Sequence, residues 1–233
     1  MTLRRSANNA ILVLEQPWGL DDSDSNRTSV LPFIEGIAKL AGDTEVFHAN
    51  FYDKSSFTKA IEYLCKIRFQ NTSVYVAAHG YKKKAGGVNI IDLLVEIGSY
   101  SKKHNITGVM LGSCYVGEHT TEMGLCIEGT NLKWCAGYSS ESAWLAGTMI
   151  DCCVIDAMTR HGTDIFSDRE VMISYFADAL SHFSPSFNIG YNYKRQPVRL
   201  DDSLQFVIQP SGQGQRATLV SQEVFDKHKK YQI

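Results

Sequence analysis

The chain has 233 residues, of which 44% are hydrophobic and 21% are charged, and its formal net charge is −2. This length and composition fit one large globular domain and exclude an intrinsically disordered chain. The small net charge excludes the basic balance typical of nucleic-acid coats and membrane-surface proteins, and no apolar run approaches the roughly 20 residues that span a bilayer. We therefore expect neither a nucleic-acid partner nor a membrane partner.

The six cysteines show no metal-binding or disulfide-framework spacing. They are Cys65, Cys114, Cys126, Cys135, Cys152 and Cys153. The apolar run at 10–14 is too short for the core of a signal peptide, so we expect a cytoplasmic protein with reduced thiols. The sequence predicts no cofactor and no metal site.

Short apolar runs alternate with longer amphipathic segments along the first two thirds of the chain. In chain order, the pattern predicts a strand at 10–14, a helix capped by Thr28 or Ser29 and ended by Gly42, a strand at 45–49, a helix at 56–67, a strand at 73–78, a helix at 89–100, strands at 106–111 and 132–138, and helices at 142–158 and 170–183. This alternation predicts a three-layer α/β fold, with a mostly parallel central sheet of about six strands and helices on both faces.

The last fifty residues are more polar and more aromatic. Two predicted strands, 204–208 and 217–220, flank a turn at 210–214, which indicates a C-terminal β-hairpin extension. We expect this hairpin to extend the sheet edge or to make an oligomer contact. The predicted organisation is a main domain at 1–183 and an extension at 184–233 packed on the same domain.

Two of the predicted strands end in residues suited to nucleophilic catalysis. His79 and Gly80 follow the third strand, and Cys114 follows the fourth. The two positions are one strand–helix–strand crossover apart, which places the strands side by side and their ends at one edge. An imidazole beside a thiol is the minimum set for attack of a thiolate on a carbonyl. The peptide N–H groups of Gly80 and Cys114 are candidates for an oxyanion hole.

These strand-end motifs resemble those of the caspase-like cysteine peptidases (clan CD), a group that includes caspases, metacaspases, legumains, separases, gingipains and CHAT-domain peptidases. The resemblance rests on the segments 74–80 (VYVAAHG) and 109–114 (VMLGSC). The segment 134–140, followed by Trp144 and Asp151 on a helix, is also similar to that group. The resemblance covers about residues 10–183.

The resemblance implies a caspase-like fold and an endopeptidase that works through a Cys–His dyad and an acyl-enzyme. Cys114 would be the nucleophile, His79 the general acid, and Gly80 an oxyanion-hole donor. The implied substrate is a protein or peptide. By analogy with the group, the protein would act with a separate sensor or regulatory partner, as a bacterial stress or antiphage effector.

The resemblance also implies a specificity pocket formed by the loops at 18–27 and 139–143. Its candidate residues are Asp24, Arg27, Ser139, Ser140 and Trp144. Arg27 would favour an acidic substrate side chain and the acidic cluster around Asp24 a basic one, and the sequence leaves both open. Metacaspases carry an aspartate two positions before the cysteine, where this chain has glycine.

Two alternatives to a peptidase are compatible with the sequence. One is a catalytically inactive scaffold or ligand-sensing subunit with the caspase fold. The other is an α/β-hydrolase with a cysteine nucleophile, which needs a later histidine (His161 or His182) and an acid (Asp151 or Asp156). That alternative also needs glycine two positions after the cysteine, where the chain has Val116.

Overall fold

The computed structural model describes residues 7–17 and 28–229. The strands are β1 (Asn9–Glu15), β2 (Thr44–Asn50), β3 (Asn71–Ala77), β4 (Gly80–Tyr81), β5 (Lys84–Ala85), β6 (Val88–Asn89), β7 (Ile106–Gly112), β8 (Trp134–Tyr138), β9 (Asn188–Tyr191), β10 (Pro197–Arg199), β11 (Leu204–Ile208) and β12 (Thr218–Leu219). The α-helices are α1 (Leu31–Ala41), α2 (Lys54–Leu64), α3 (Ile90–His104), α4 (Thr120–Ile127), α5 (Trp144–Thr159), α6 (Arg169–Ala179), α7 (Leu200–Ser203) and α8 (Ser221–Lys229). Short 3-10 helices lie at Val116–Glu118 and Thr163–Ser167.

A seven-stranded sheet organises the molecule, in the order β2-β1-β3-β7-β8-β11-β12. The first five strands in this order (β2, β1, β3, β7 and β8) pair in parallel, and β11 is antiparallel to both β8 and β12. The predicted α/β fold with a mostly parallel sheet is confirmed. The predicted C-terminal hairpin is β11–β12, and it extends the sheet edge.

The apolar run of β1 shows why the fold has three layers. Ile11 and Val13 pack into a core with residues of α1, α5, α6 and α8. Leu12 and Leu14 pack into a second core with residues of α2, α3 and α4. Because alternate strand residues point to opposite faces, a continuous apolar run needs helices on both sides of the sheet.

The start of α1 differs from the prediction. Neither Thr28 nor Ser29 is its N-cap residue; that position is Val30, whose side chain makes no capping hydrogen bond. The buried carboxylate of Glu15, at the end of β1, accepts the Val30 N–H at 2.8 Å and the Ser29 hydroxyl at 2.8 Å. The Ser29 hydroxyl in turn accepts the Leu31 N–H at 3.2 Å, so Ser29 satisfies one donor of the first turn. The carboxylate that accepts the Val30 N–H comes from a neighbouring strand, and local sequence rules do not detect such a cap.

Candidate active site

The pairing of β3 with β7 sets the geometry of the candidate site. Ala77 and Gly112 are register partners at the ends of these neighbouring parallel strands. His79 and Cys114 each lie two residues farther along the chain than one member of this pair. His79 is exposed and Cys114 is partly buried. The fold thus brings the two predicted dyad residues to one edge of the sheet.

Gly80 lies directly against the backbone of Cys114. A Cβ atom at Gly80 would be 1.9 Å from the Cys114 carbonyl oxygen and 2.5 Å from its nitrogen, so only glycine fits there. Gly86 N–H donates to the His79 carbonyl at 2.8 Å, next to the Gly80–Ala85 pair of the β4–β5 hairpin. Since hydrogen-bonded and non-bonded pairs alternate in an antiparallel ladder, the Gly80 N–H points away from β5. The Gly80 N–H is therefore not used in the β4–β5 ladder.

The backbone N–H of Ser142 donates to the Cys114 thiol, at 3.4 Å from Sγ. Burial raises the pKa of this thiol above its ordinary value, and the Ser142 N–H opposes that change only in part. A raised pKa favours the protonated thiol, so activation of Cys114 calls for a base.

The residue after the candidate nucleophile is held in an uncommon conformation. Tyr115 has φ +66°, its N–H donates to the Ser140 carbonyl at 3.1 Å, and its hydroxyl donates to the Tyr191 carbonyl at 3.3 Å. Its ring stacks on Tyr193, with centroids 4.0 Å apart and planes 13° apart. The β9–β10 hairpin therefore packs on the turn that presents Cys114.

The other residues proposed for the pocket are placed differently. Ser139 N–H donates to the Ser203 carbonyl at 2.8 Å, and the hydroxyls of Ser140 and Ser203 are 2.7 Å apart. Both serines thus connect the end of β8 to the end of α7. Asp24 and Arg27 lie outside the described residues.

A narrow cavity opens beside Cys114, with a volume of about 10 Å³. Its lining combines apolar walls with one carboxylate: Val30, Tyr75, Ala77, Gly112, Cys114, Ser142, Trp144, Gly147, Thr148 and Asp151. Trp144 was predicted from the sequence as a pocket residue, and it forms part of this wall. Cys114 and Trp144 are partly exposed whereas Tyr75 and Asp151 are buried, so the cavity runs inward from the thiol to the carboxylate.

Asp151 is the residue of this cavity that sequence reasoning missed as a pocket residue. Its two carboxylate oxygens accept hydrogen bonds from the hydroxyls of Tyr75, at 2.7 Å, and Tyr138, at 2.8 Å. Burial raises the pKa of Asp151 to about 7, although both tyrosine hydrogen bonds act to lower it. One signal was present in the sequence, because positions 144, 147, 148 and 151 have the i, i+3, i+4, i+7 spacing of a single helix face.

The arrangement needed for an α/β-hydrolase site is not formed. The carboxylate of Asp151 binds two tyrosines and not a histidine. Asp156, His161 and His182 line a separate cavity, and the His161 carbonyl accepts a hydrogen bond from Asn71, at the start of β3. These residues lie at the opposite edge of the sheet from Cys114, so this alternative is wrong.

Two further observations concern the described ranges, 7–17 and 28–229. They contain no helix that is both long and apolar enough to cross a membrane. They also contain no group of three or more His, Cys, Asp or Glu side chains placed to hold a metal ion.

Comparison with known proteins gives a likeness of fold only. No protein-family model and no curated protein matches the chain. Among solved structures, the fold is similar to that of a secreted C11 cysteine protease from Bacteroides thetaiotaomicron, determined in complex with an irreversible peptide inhibitor. The TM-score is 0.49 and the sequence identity 10%, over 86% of this chain and 66% of that chain. The site geometry described above does not depend on this likeness.

Proposed function

We propose that this protein is a cysteine endopeptidase in which Cys114 is the nucleophile and His79 the acid–base group. The observation that carries the proposal is the register of β3 and β7, because the paired ends Ala77 and Gly112 each lie two residues before one of these residues, at one edge of the sheet. The close approach of Gly80 to the Cys114 backbone, and the cavity beside the thiol, support the same reading. Acyl transfer needs a nucleophile, an acid–base group, donors for the oxyanion and a space for the substrate side chain.

The proposed reaction proceeds in two stages. His79 accepts the thiol proton of Cys114 as Sγ forms a bond to the carbonyl carbon of the substrate, and the N–H groups of Gly80 and Cys114 bind the resulting oxyanion. The C–N bond then breaks while His79 gives its proton to the leaving amine. Water hydrolyses the thioester, which releases the acid and restores the thiol. The raised pKa of Cys114 is the reason why the histidine is needed to start this sequence.

A protein or peptide is the substrate class that this reaction implies. The cellular setting expected from the sequence is a cytoplasmic stress or antiphage effector that works with a separate sensor or regulatory protein. That setting stays a prediction. Subcellular fractionation and co-purification of the tagged full chain test it.

The decisive experiment compares protein termini in cells that express the wild type or Cys114→Ala. We expect new termini with the wild type alone. Cys126→Ala is the matched control, because Cys126 is also a partly buried free cysteine but lies on α4. Equal sets of new termini from the wild type and Cys114→Ala would rule out Cys114 as the nucleophile.

One observation favours a second function, a non-catalytic scaffold with the same fold. Burial raises the pKa of the Cys114 thiol, as expected for an inert buried cysteine. The two functions differ in the effect of His79→Ala on the rate of Cys114 alkylation by iodoacetamide as a function of pH. A dyad predicts a slower reaction near neutral pH in the variant, and a scaffold predicts no change.

A further inference from the structure

A row of charged and polar side chains joins three segments of the candidate active site. Lys83, at the tip of the β4–β5 hairpin that follows His79, has its Nζ atom 2.7 Å from Glu122 Oε1 on α4. Glu118, in the 3-10 helix that follows the candidate nucleophile, accepts a hydrogen bond from the Tyr193 hydroxyl at 3.3 Å. A histidine lies between the two glutamates. We call this set the charged row: Lys83, Glu122, His119, Glu118 and Tyr193.

His119 lies at the centre of the charged row. Its Nδ1 is 3.8 Å from Glu122 Oε1, and its Nε2 is 3.5 Å from Glu118 Oε1. Both distances are too long for strong hydrogen bonds, and the buried Nε2 makes no hydrogen bond to any described residue. Distances of this size suit ion pairs, which form when the imidazole carries a second proton.

The charges of the row balance when His119 is protonated. Glu118 and Glu122 supply two carboxylates, and Lys83 supplies one ammonium group. The hydrogen bond from Lys83 is the main reason why the pKa of Glu122 is lowered, so this carboxylate is charged at neutral pH. An imidazolium between the two glutamates leaves the row neutral, whereas a neutral imidazole leaves one carboxylate without a cation, which is costly where water is partly excluded.

The far end of the charged row reaches the nucleophile turn by a second path. The Tyr193 ring stacks on the ring of Tyr115, which directly follows Cys114. The Tyr193 hydroxyl donates to Glu118. A movement of Glu118 therefore affects the stacked pair of tyrosines, and with it the turn that carries the thiol.

From this arrangement, we infer that His119 is a positioning residue of the proposed dyad. Protonated His119 holds Glu118 and Glu122 together. Through these two residues it fixes the turn after Cys114 against the hairpin after His79. The inference rests on the proposed function and adds to it a regulation of the same site, because the arrangement loosens when His119 loses its second proton.

The first test measures the rate at which iodoacetamide alkylates Cys114 in the full chain. The wild type and His119→Gln are compared by mass spectrometry from about pH 5 to about pH 8, where imidazoles titrate. Glutamine keeps a polar side chain but carries no charge. While His119 is protonated, the wild type should react roughly 3- to 10-fold faster, as expected when a small ion-pair network sets the position of reacting groups. The ratio of the two rates should fall to near one as His119 deprotonates, which NMR of its ring protons follows.

Two comparisons distinguish positioning from a general loss of structure. His104→Gln removes another largely buried imidazole with a nitrogen that lacks a hydrogen bond among the described residues, but it lies at the end of α3 and beside the start of β3. It should leave the alkylation rate unchanged. In a Glu118→Gln, Glu122→Gln background, His119→Gln should have no further effect, because the imidazolium has lost both partners. An effect that persists in that background, or that is equal at every pH, would overturn the inference.

Amide hydrogen exchange reports on the two turns without any need for catalysis. The Gly86 N–H donates to the His79 carbonyl, and the Tyr115 N–H donates to the Ser140 carbonyl. Both amides should exchange faster in His119→Gln than in the wild type at acidic pH, because both turns open more often. An unchanged exchange rate at either amide would refute the inference, whatever the activity of the protein.

His79→Ala separates failure of the inference from failure of the proposed function. If this variant leaves the alkylation of Cys114 unchanged, the dyad fails, and the exchange rates alone decide whether His119 holds the two turns together. If His79→Ala slows alkylation but His119→Gln does not, the dyad stands and the inference fails. If His119→Gln does not fold, Lys83→Met, a change at a half-exposed side chain, replaces it and should speed exchange at both amides; unchanged exchange would again refute the inference.

Discussion

Substitution of Gly80 by alanine is the most direct test of how the candidate site is assembled. The added Cβ would lie 1.9 Å from the Cys114 carbonyl oxygen and 2.7 Å from its carbonyl carbon. Both are backbone atoms, so no side-chain rotation relieves the overlap. Since Cβ contacts essentially never fall below 3.0 Å, the turns after β3 and β7 must separate by more than 1 Å.

The size of this displacement sets the expected effects. Misplacement of reacting groups by about 1 Å can cost about 100-fold in rate, so the rate of substrate cleavage should fall by at least about that factor. Overpacking of a well-packed contact costs about 1–3 kcal/mol of stability. For a chain of this size, the melting temperature should fall by about 2–4 °C per kcal/mol. Most of the protein should therefore remain folded while activity is lost.

The assay measures cleavage and melting temperature together on Gly80→Ala and on Gly36→Ala. Gly36 is an exposed residue of α1 with no atom within 4 Å of an added Cβ, so its substitution should leave activity unchanged. Wild-type cleavage by Gly80→Ala at an unchanged melting temperature would refute the claim that Gly80 and the Cys114 backbone are in contact.

Three further predictions test other parts of the structure. The pKa of Asp151 is raised from the ordinary 3.8 to about 7, so between these values the folded chain keeps a proton that the unfolded chain releases. The free energy of unfolding should therefore fall as pH rises from about 4 to 7 and then level off. The difference of about three pH units between the two pKa values corresponds to about 4 kcal/mol, and urea unfolding should show this loss in the wild type but not in Asp151→Asn. Tyr193→Ala removes the ring that stacks on Tyr115, and such a stacked pair contributes about 0.5–1.5 kcal/mol beyond its buried area. The substitution should lower kcat several-fold in steady-state assays. An unchanged kcat would show that the β9–β10 hairpin does not position the turn that carries Cys114. Gly108→Ala places a Cβ 1.8 Å from the Trp134 ring and should lower the melting temperature, while kcat per folded molecule, counted by active-site titration, stays at the wild-type value.

The sheet and the positions of its strand ends were predictable because their causes are local. The run from Ala10 to Leu14 is apolar at every position, which is typical of a strand covered on both faces. His79 and Cys114 each follow such a run, so the sequence alone was enough to propose that they share an edge. The right-handed crossover rule supplied the remaining step, and β3 and β7 are neighbours.

The cavity and its carboxylate were harder to predict because they depend on contacts between distant parts of the chain. Asp151 lies on α5, but its partners Tyr75 and Tyr138 come from two different strands. The spacing of Trp144 and Asp151 on one helix face was readable from the sequence, yet that spacing is also typical of an ordinary core face. That Gly112 lies against the carboxylate is seen only in the structure.

The C-terminal segment shows how such long-range contacts change the interpretation of the chain. Residues 184–233 were separated from 1–183 because their composition differs, but composition reports neither pairing nor register. In the structure, β11 pairs with β8 along five residues, and Tyr193 stacks on the residue that follows Cys114. β11 thus holds β8 in place. The carbonyl of Ser140, just after β8, accepts the Tyr115 N–H, and Tyr115 directly follows the nucleophile. The geometry of the site is therefore a property of the whole sheet, including the strand that the sequence indicated as an extension.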